Sequence, residues 1–168
     1  AKIDKIPNLR PAFKADGTIT AANASSISDG ASALVLTRES SLAGRDPLAQ
    51  IVAHATHSIH PSEFTLAPIG AIEKLLAKTG WDLDSVDLFE INEAFAMVTM
   101  LTSQSLGLDP AKVNVFGGAC AQGHPIGSTG SRLIVTLAHA MKNQGKKRGI
   151  AALCIGGGEA TAVALERN

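Results

Sequence analysis

From residue 48 to the carboxyl terminus, short apolar runs alternate with amphipathic stretches, and glycine or proline separates most of them. The period-two and apolar runs predict strands over 48–56, 86–91, 113–116, 149–155 and 160–166. The amphipathic stretches predict helices over 68–78, 92–106 and 131–143. Since strands and helices alternate and three glycines join the last two strands as an antiparallel hairpin, we expect an α/β fold. Its mixed sheet should carry helices on both faces.

The first 46 residues are less regular than the rest of the chain. A short extended piece is predicted over 18–20, and residues 29–33 read as a short helix that runs into an apolar strand over 34–36. Residues 40–47, which include Gly44 and Pro47, form the best internal boundary.

Length and composition exclude several classes of protein. A chain of 168 residues holds about one domain. Its 15 basic and 15 acidic residues balance, which argues against nucleic acid or an anionic membrane as a partner. Two cysteines are too few for a disulfide framework, so we expect a reducing compartment and a cytoplasmic location.

Three predicted strand ends carry side chains capable of chemistry. They are Asn92-Glu93-Ala94-Phe95, the glycine-rich stretch 117–127 that contains His124, and Cys154-Ile155-Gly156-Gly157-Gly158. An α/β sheet places its functional site at the carboxyl ends of its strands, so these groups are expected to lie near one another. Backbone N–H groups in a glycine run can stabilise a thiolate or an oxyanion.

Each group also has an ordinary structural interpretation. His124 could be a loop histidine bonded to a carbonyl. Cys154 could be an inert buried thiol. Asn92 could serve only as the N-cap of the helix that follows it.

Taken together, the motifs resemble those of one family. GGACAQGHPIGSTG (117–130) resembles the thiolase signature GGxxxxGHPxGxxG, NEAF (92–95) is similar to another thiolase motif, and CIGGG (154–158) resembles the carboxyl-terminal Cys-x-Gly-Gly-Gly. The stretch 16–33 is similar to the segment that precedes the thiolase C-terminal domain. The resemblance therefore implies a thiolase-like C-terminal half. Residues 1–46 would be the tail end of the N-terminal domain, with its CoA-contacting segment, last helix and last strand. Residues 47–168 would be the C-terminal domain.

The resemblance also implies a reaction. Thiolases catalyse CoA-dependent thiolytic cleavage of a 3-ketoacyl-CoA, or the Claisen condensation of two acetyl-CoA to acetoacetyl-CoA, in fatty acid metabolism. CoA and acyl-CoA are their substrates, and no metal or organic cofactor takes part. A full-length protein of this kind is expected to be an acyltransferase and a homo-oligomer.

Catalytic roles follow by similarity. Cys154 would move the proton at the α-carbon, for which its pKa must allow thiolate near neutrality. His124 would activate the nucleophilic cysteine and donate to the thioester oxygen. Asn92 would hold the water that completes that oxyanion hole, and the Gly156 N–H would serve the second hole.

Three residues are implied as substrate-binding residues. Ser25 would contact the pantetheine arm of CoA, Phe95 would wall the pocket, and Phe64 stands where some members place a substrate-contacting Met. The chain departs from the common Thr-Gly-Pro at Leu66-Ala67-Pro68, so acyl length is not implied.

The nucleophilic cysteine of the thiolase N-terminal half has no counterpart in this sequence. Cys120 lies at a variable position inside the signature and is expected to be structural. The chain alone is therefore expected to be inactive, its missing partner being the N-terminal thiolase domain. The alternative is a non-catalytic module that binds CoA or another subunit.

Histidines at 54, 57 and 60 recur every third residue, which invites a metal interpretation. On a strand, however, His54 and His57 would face opposite sides of the sheet. We therefore predict no metal site here.

Overall fold

The structure is a computed structural model and describes residues 3–168. The predicted N-terminal-domain segment 1–46 is thus described from residue 3 only. The strands are β1 (Gln50–Ser58), β2 (Leu88–Ile91), β3 (Arg148–Ile155) and β4 (Glu159–Glu166). The α-helices are α1 (Ala67–Thr79), α2 (Ala96–Leu106), the short α3 (Ala119–Gln122) and α4 (Thr129–Asn143). Short 3-10 helices cover Ile3–Asn8, Glu39–Ser41, Pro61–Leu66, Leu83–Ser85 and Pro110–Lys112.

The four strands form one mixed sheet in the order β1-β4-β3-β2. β2 runs parallel to β3, whereas β4 lies antiparallel to both β3 and β1. The predicted hairpin is confirmed, since Ile155 pairs with Glu159 across the glycine turn. The expected α/β class with a mixed sheet is therefore correct.

Helices cover both faces of the sheet, as expected. On one face α1 packs on β1, β3 and β4, and α2 packs against α1, around a core that includes Ile72, Leu75 and Val98. On the other face α4 packs on β2 and β3 through Leu133, Leu137 and other apolar residues. Small residues let α1 approach the sheet closely. A Cβ at Gly70, for example, would lie 2.5 Å from the His57 ring.

The helix and strand predicted over 29–36 do not form. Leu34, Val35 and Leu36 are 37%, 99% and 70% exposed, and no residue between 28 and 38 belongs to a helix or strand. An apolar run becomes a strand only when another strand satisfies its backbone groups. Within residues 3–168 no strand pairs with this run. The short extended piece predicted over 18–20 does not belong to a helix or strand; Ile19 O accepts from Ala12 N–H (2.7 Å), and Thr20 N–H donates to the Asn23 side chain (2.7 Å).

The strand predicted over 113–116 is wrong for a different reason. Asn114 has a positive φ of 47°, which interrupts an extended backbone. Its side chain takes the place of a strand partner: Oδ1 accepts from Ile91 N–H at 2.8 Å, and Nδ2 donates to Ile91 O at 2.9 Å. Only Val113 makes an isolated bridge, to Phe89. One asparagine therefore completes the hydrogen bonding at the end of β2.

We expect Asn114→Ala to lower the free energy of unfolding by about 2 kcal/mol, because Ile91 N–H loses its partner and Ile91 O keeps only the longer bond from Thr99 Oγ1 (3.4 Å). Chemical denaturation would measure the change. Asn143→Ala, at an exposed position near the end of α4, is the control and should change stability by less than about 0.5 kcal/mol. Equal effects of the two variants would contradict the role given to Asn114.

Candidate functional site

The centre of the candidate site is a contact between Asn92 and His124. Asn92 follows β2 directly and is fully buried, and its Nδ2 lies 3.4 Å from His124 Nε2. Asn92 is not the helix N-cap that its position suggested, because α2 begins at Ala96 and Phe95 occupies the cap position. Among the described residues its Oδ1 has no hydrogen-bond partner. The structure thus brings together two residues that the sequence singled out separately.

His124 is held by both its backbone and its ring. Its N–H donates to Ser26 O (3.0 Å), and the preceding Gly123 adopts a positive φ of 92°. The other ring nitrogen, Nδ1, lies 2.7 Å from Thr129 Oγ1. The ring is therefore bonded to a hydroxyl and an amide, and not to a carbonyl as its ordinary structural interpretation requires.

The surroundings of His124 favour the neutral imidazole. Burial lowers the pKa of His124, and the positive charge of Arg132 lowers it further. A neutral ring keeps one nitrogen lone pair free near neutral pH. This is the state that a proton acceptor requires.

The segment that contains Ser25 lies across this pair. Both Ser25 N–H and Ser25 Oγ–H donate to Ala94 O, at 3.3 and 3.0 Å. Isolated bridges join Ala24 to Phe95 and Ile27 to His124. A segment far away in sequence is thereby fixed next to both site motifs.

Phe64 and Phe95 contact each other. Their ring centroids are 6.3 Å apart in an edge-on arrangement, and Phe95 also meets Phe13 at 5.7 Å. Both Phe64 and Phe95 pack against the apolar cluster that includes Cys154. The two predicted pocket residues and the predicted acid/base thus share one apolar environment.

Cys154 lies near the end of β3 and is 8% exposed. Burial raises its pKa, so the thiol and not the thiolate is the favoured form. The expectation of a readily formed thiolate is not met by the environment that the described residues provide. Within residues 3–168 no positively charged group lowers the pKa of Cys154, and desolvation therefore dominates.

Gly156 lies in the β3–β4 turn and is exposed, and an added Cβ would meet nothing within 4 Å. Gly158 is constrained instead. It has a φ of 95°, and a Cβ there would lie 2.3 Å from Ile59 O. Ile59 N–H also donates to Gly158 O at 2.9 Å, which ties the turn to the end of β1.

Cys120 is half-buried and its backbone N–H donates to Glu93 Oε2 (3.0 Å). Burial and the neighbouring Glu93 carboxylate raise the pKa of the Cys120 thiol to about 11. Such a thiol is a poor nucleophile at neutral pH. This agrees with the structural role predicted for it.

A buried ion pair next to the site was not predicted. Glu90 of β2 is 1% exposed and lies 3.4 Å from the Arg132 guanidinium of α4. Burial raises the pKa of Glu90 to about 7, although Arg132 opposes the shift. The sequence offered one sign of this ion pair: Glu90 is an acidic residue inside an apolar strand, two positions before Asn92. Thr129 was likewise missed, since a threonine at a helix start carries no distinctive pattern.

The three closely spaced histidines do not share a face. His57 is partly buried beneath α1, whereas His54 is exposed on the opposite side of β1, as predicted. In the described part of the chain, no three His, Cys, Asp or Glu side chains form a group that could hold a metal ion. No helix within residues 3–168 is long and apolar enough to cross a bilayer.

Comparison with known proteins decides the family. The family model "Thiolase, C-terminal domain" matches residues 45–167, and "Thiolase, N-terminal domain" matches residues 1–40. The chain belongs to the thiolase family. A probable acetyl-CoA acetyltransferase of Dictyostelium discoideum is 51% identical over 166 residues, covering 98% of this chain and 40% of that protein. The cytosolic acetyl-CoA acetyltransferase of Rattus norvegicus is 46% identical and covers 99% of this chain and 43% of that protein.

Solved thiolase structures share the fold. Bacillus anthracis acetyl-CoA acetyltransferase superposes with a TM-score of 0.95 at 44% identity, over 97% of this chain and 42% of that one. Human mitochondrial 3-ketoacyl-CoA thiolase in complex with CoA gives 0.91 at 39% identity, over all of this chain and 43% of that one. The chain therefore spans less than half the length of these thiolases.

The Glu90 pair generates a prediction about pH. Because folding raises the pKa of Glu90 from 4.5 to about 7, its protonated form is stabilising below pH 4.5, and that stability is lost as the pH rises towards 7. Glu90→Gln removes this dependence. We expect the variant to gain up to about 3 kcal/mol over the parent chain between these pH values.

Denaturant unfolding at several pH values would measure this difference. The control is Glu166→Gln, which breaks a half-exposed pair with Arg148 (2.9 Å) and should have a small, nearly constant effect. A pH-independent difference for Glu90→Gln would contradict the interpretation of the buried pair.

Proposed function

We propose that this chain supplies the acid/base side of a thiolase active site. A full-length protein of this kind would cleave 3-ketoacyl-CoA with CoA or condense two acetyl-CoA. The observation that carries the proposal is the contact between the buried Asn92 and the partly buried His124 at the end of β2. It is supported by the acetyl-CoA acetyltransferases named among the relatives.

In this proposal His124 begins as a proton acceptor. Its Nε2 takes the proton of the nucleophilic cysteine of the N-terminal half, whose thiolate attacks the acyl-CoA thioester. The resulting Nε2–H can then donate to an oxygen that becomes negative. Asn92 Oδ1, which lacks a partner among the described residues, can accept from a water that adds a second donor there.

Cys154 is proposed as the second acid/base. Its favoured thiol form has a proton to give to the departing CoA thiolate when the acyl group is transferred. That transfer leaves Cys154 as the thiolate, which can remove the α-proton of the second acyl-CoA. In thiolysis the same thiol returns the proton to the α-carbon. The Gly156 N–H is proposed to stabilise the oxyanion at the acylated cysteine.

Ser25 is proposed to contact pantetheine. Its hydroxyl hydrogen is committed to Ala94 O, so Oγ offers a lone pair to an amide N–H of the CoA arm. Phe95 and Phe64 are proposed as apolar walls beside the reacting carbon. CoA and acyl-CoA are proposed as substrates, without metal or organic cofactor.

We also propose a homo-oligomer in the cytoplasm. The location is supported by relatives named cytosolic in rat and mouse.

Replacing Cys154 tests the mechanism. In a full-length thiolase that carries this chain, Cys154→Ala should lower condensation and thiolysis by about 10²- to 10⁴-fold, the usual contribution of an acid/base group. Cys120→Ala is the matched control and should retain activity, because its thiol has a pKa of about 11 and packs beside Glu93. Near-normal turnover by Cys154→Ala would refute the role assigned to it.

The chain alone distinguishes the catalytic proposal from the binding-module alternative. The two cysteines of the sequence leave covalent catalysis without its nucleophile, so we expect the 168-residue chain not to cleave acetoacetyl-CoA. Measurable turnover would contradict this. Calorimetry with CoA tests the alternative, a non-catalytic module that binds CoA. This alternative predicts heat of binding without turnover, and it is refuted if no heat is detected.

A further inference from the structure

Thr129 makes a contact for which the proposed function gives no role. It is the first residue of α4 and is fully buried. Its Oγ1 lies 2.7 Å from His124 Nδ1 and 3.0 Å from Pro125 O. A threonine hydroxyl has one hydrogen to donate and lone pairs to accept, so the two contacts constrain each other.

With the Asn92 amide oriented as in the structure, Nδ2 towards the ring, one arrangement of hydrogens satisfies all the contacts of the His124 ring. Thr129 donates to Pro125 O and accepts from His124 Nδ1–H, while the Asn92 amide donates to the lone pair on Nε2. In the opposite tautomer, the Asn92 amide would face an N–H. Thr129 would also have to release Pro125 O in order to donate to Nδ1.

We propose that Thr129 is a positioning residue that fixes His124 as its Nδ1–H tautomer. The tautomer itself does not depend on the function proposed above. Only the catalytic use of the unprotonated Nε2 rests on that proposed function. With Nδ1 held by Thr129, the Nε2 lone pair carries only the long contact from the Asn92 amide (3.4 Å), which an incoming proton can replace. The ring orientation and the protonation site are then set by one hydroxyl.

The base of α4 is a rigid support for this contact. Leu133, Leu137 and Met141 of the same helix are fully buried against the sheet. Ser128 N–H and Thr129 N–H both donate to Pro125 O, at 2.8 and 2.9 Å, which closes the loop that carries His124. Thr129 Oγ1 therefore has little freedom to move away from the ring.

The direct test is nitrogen NMR of the 168-residue chain labelled at its five histidines, with His124→Gln used to assign the signal. At a pH where the ring is neutral, we expect a protonated Nδ1 and an unprotonated Nε2 in the parent chain and in Thr129→Ser. Thr129→Val removes the hydroxyl and should give a mixture of tautomers. Thr102→Val is the matched control, since Thr102 is also fully buried and its hydroxyl donates only along its own helix, to Val98 O (2.8 Å).

An Nε2–H tautomer in the parent chain would overturn the proposal, even if Thr129→Val fails to fold. So would an unchanged tautomer in a folded Thr129→Val. In a full-length thiolase that carries this chain, Thr129→Val should lower kcat about 100-fold, as expected for a misplaced catalytic group, with a smaller change in KM. Thr129→Ser should restore most of the activity. The two proposals can fail separately. If Thr129 sets the tautomer but the full-length protein has no thiolase activity, the proposed function is refuted and the positioning role is supported.

Discussion

The site depends on how β2 ends. This strand has four residues, all buried, and its backbone is paired with β3 on one side and with the Asn114 side chain on the other. Ile91 is the last residue held in this way, and Asn92 follows it directly. If Ile91 were free to fray, the Asn92 amide would not remain opposite His124. A few hydrogen bonds at a strand end thus determine the geometry of the candidate site.

Burial acts on the titratable groups of the site in one direction. It lowers the pKa of His124 and raises the pKa values of Cys154 and Glu90, so that burial disfavours the charged form of each group. Neutral imidazole accepts a proton and neutral thiol donates one. In the proposed mechanism, His124 and Cys154 would therefore exchange protons with a substrate while both are neutral at rest. This arrangement suits a reaction in which charge develops only on the substrate oxygen.

Local patterns predicted most of the fold. The strands near 50–58 and 148–166 and the helices near 67–79 and 129–143 were recognised from period and from their glycine or proline ends. These elements bury one face against neighbours that the same patterns also predict. The run over 34–36 failed because a strand requires a partner, and none is present in the described residues. The strand prediction over 113–116 failed because the Asn114 side chain supplies the hydrogen bonds that a neighbouring strand would otherwise make.

The candidate site was predictable as far as its residues lie at strand ends. Asn92 directly follows β2 and Cys154 lies near the end of β3, positions at which an α/β sheet places functional groups. His124 is not at a strand end, because the strand predicted over 113–116 does not form; it lies in the loop after α3 and was singled out by its sequence motif. Glu90, Thr129 and Arg132 were not predictable in the same way. Their importance comes from contacts across elements: Arg132 reaches Glu90 from another element, and Thr129 reaches back to a loop residue. A single sequence encodes such contacts only through the complete fold.

The backbone geometry of the β3–β4 turn explains two of its three glycines but not the third. Gly157 and Gly158 have positive φ values of 98° and 95°, which side chains disfavour, and Gly158 also lies against Ile59 O. Gly156 has neither constraint, because its φ lies outside that region and open space surrounds its Cα. The turn would accommodate a methyl group there. A glycine at this position, two residues after Cys154, is what the oxyanion contact proposed for its backbone N–H would require.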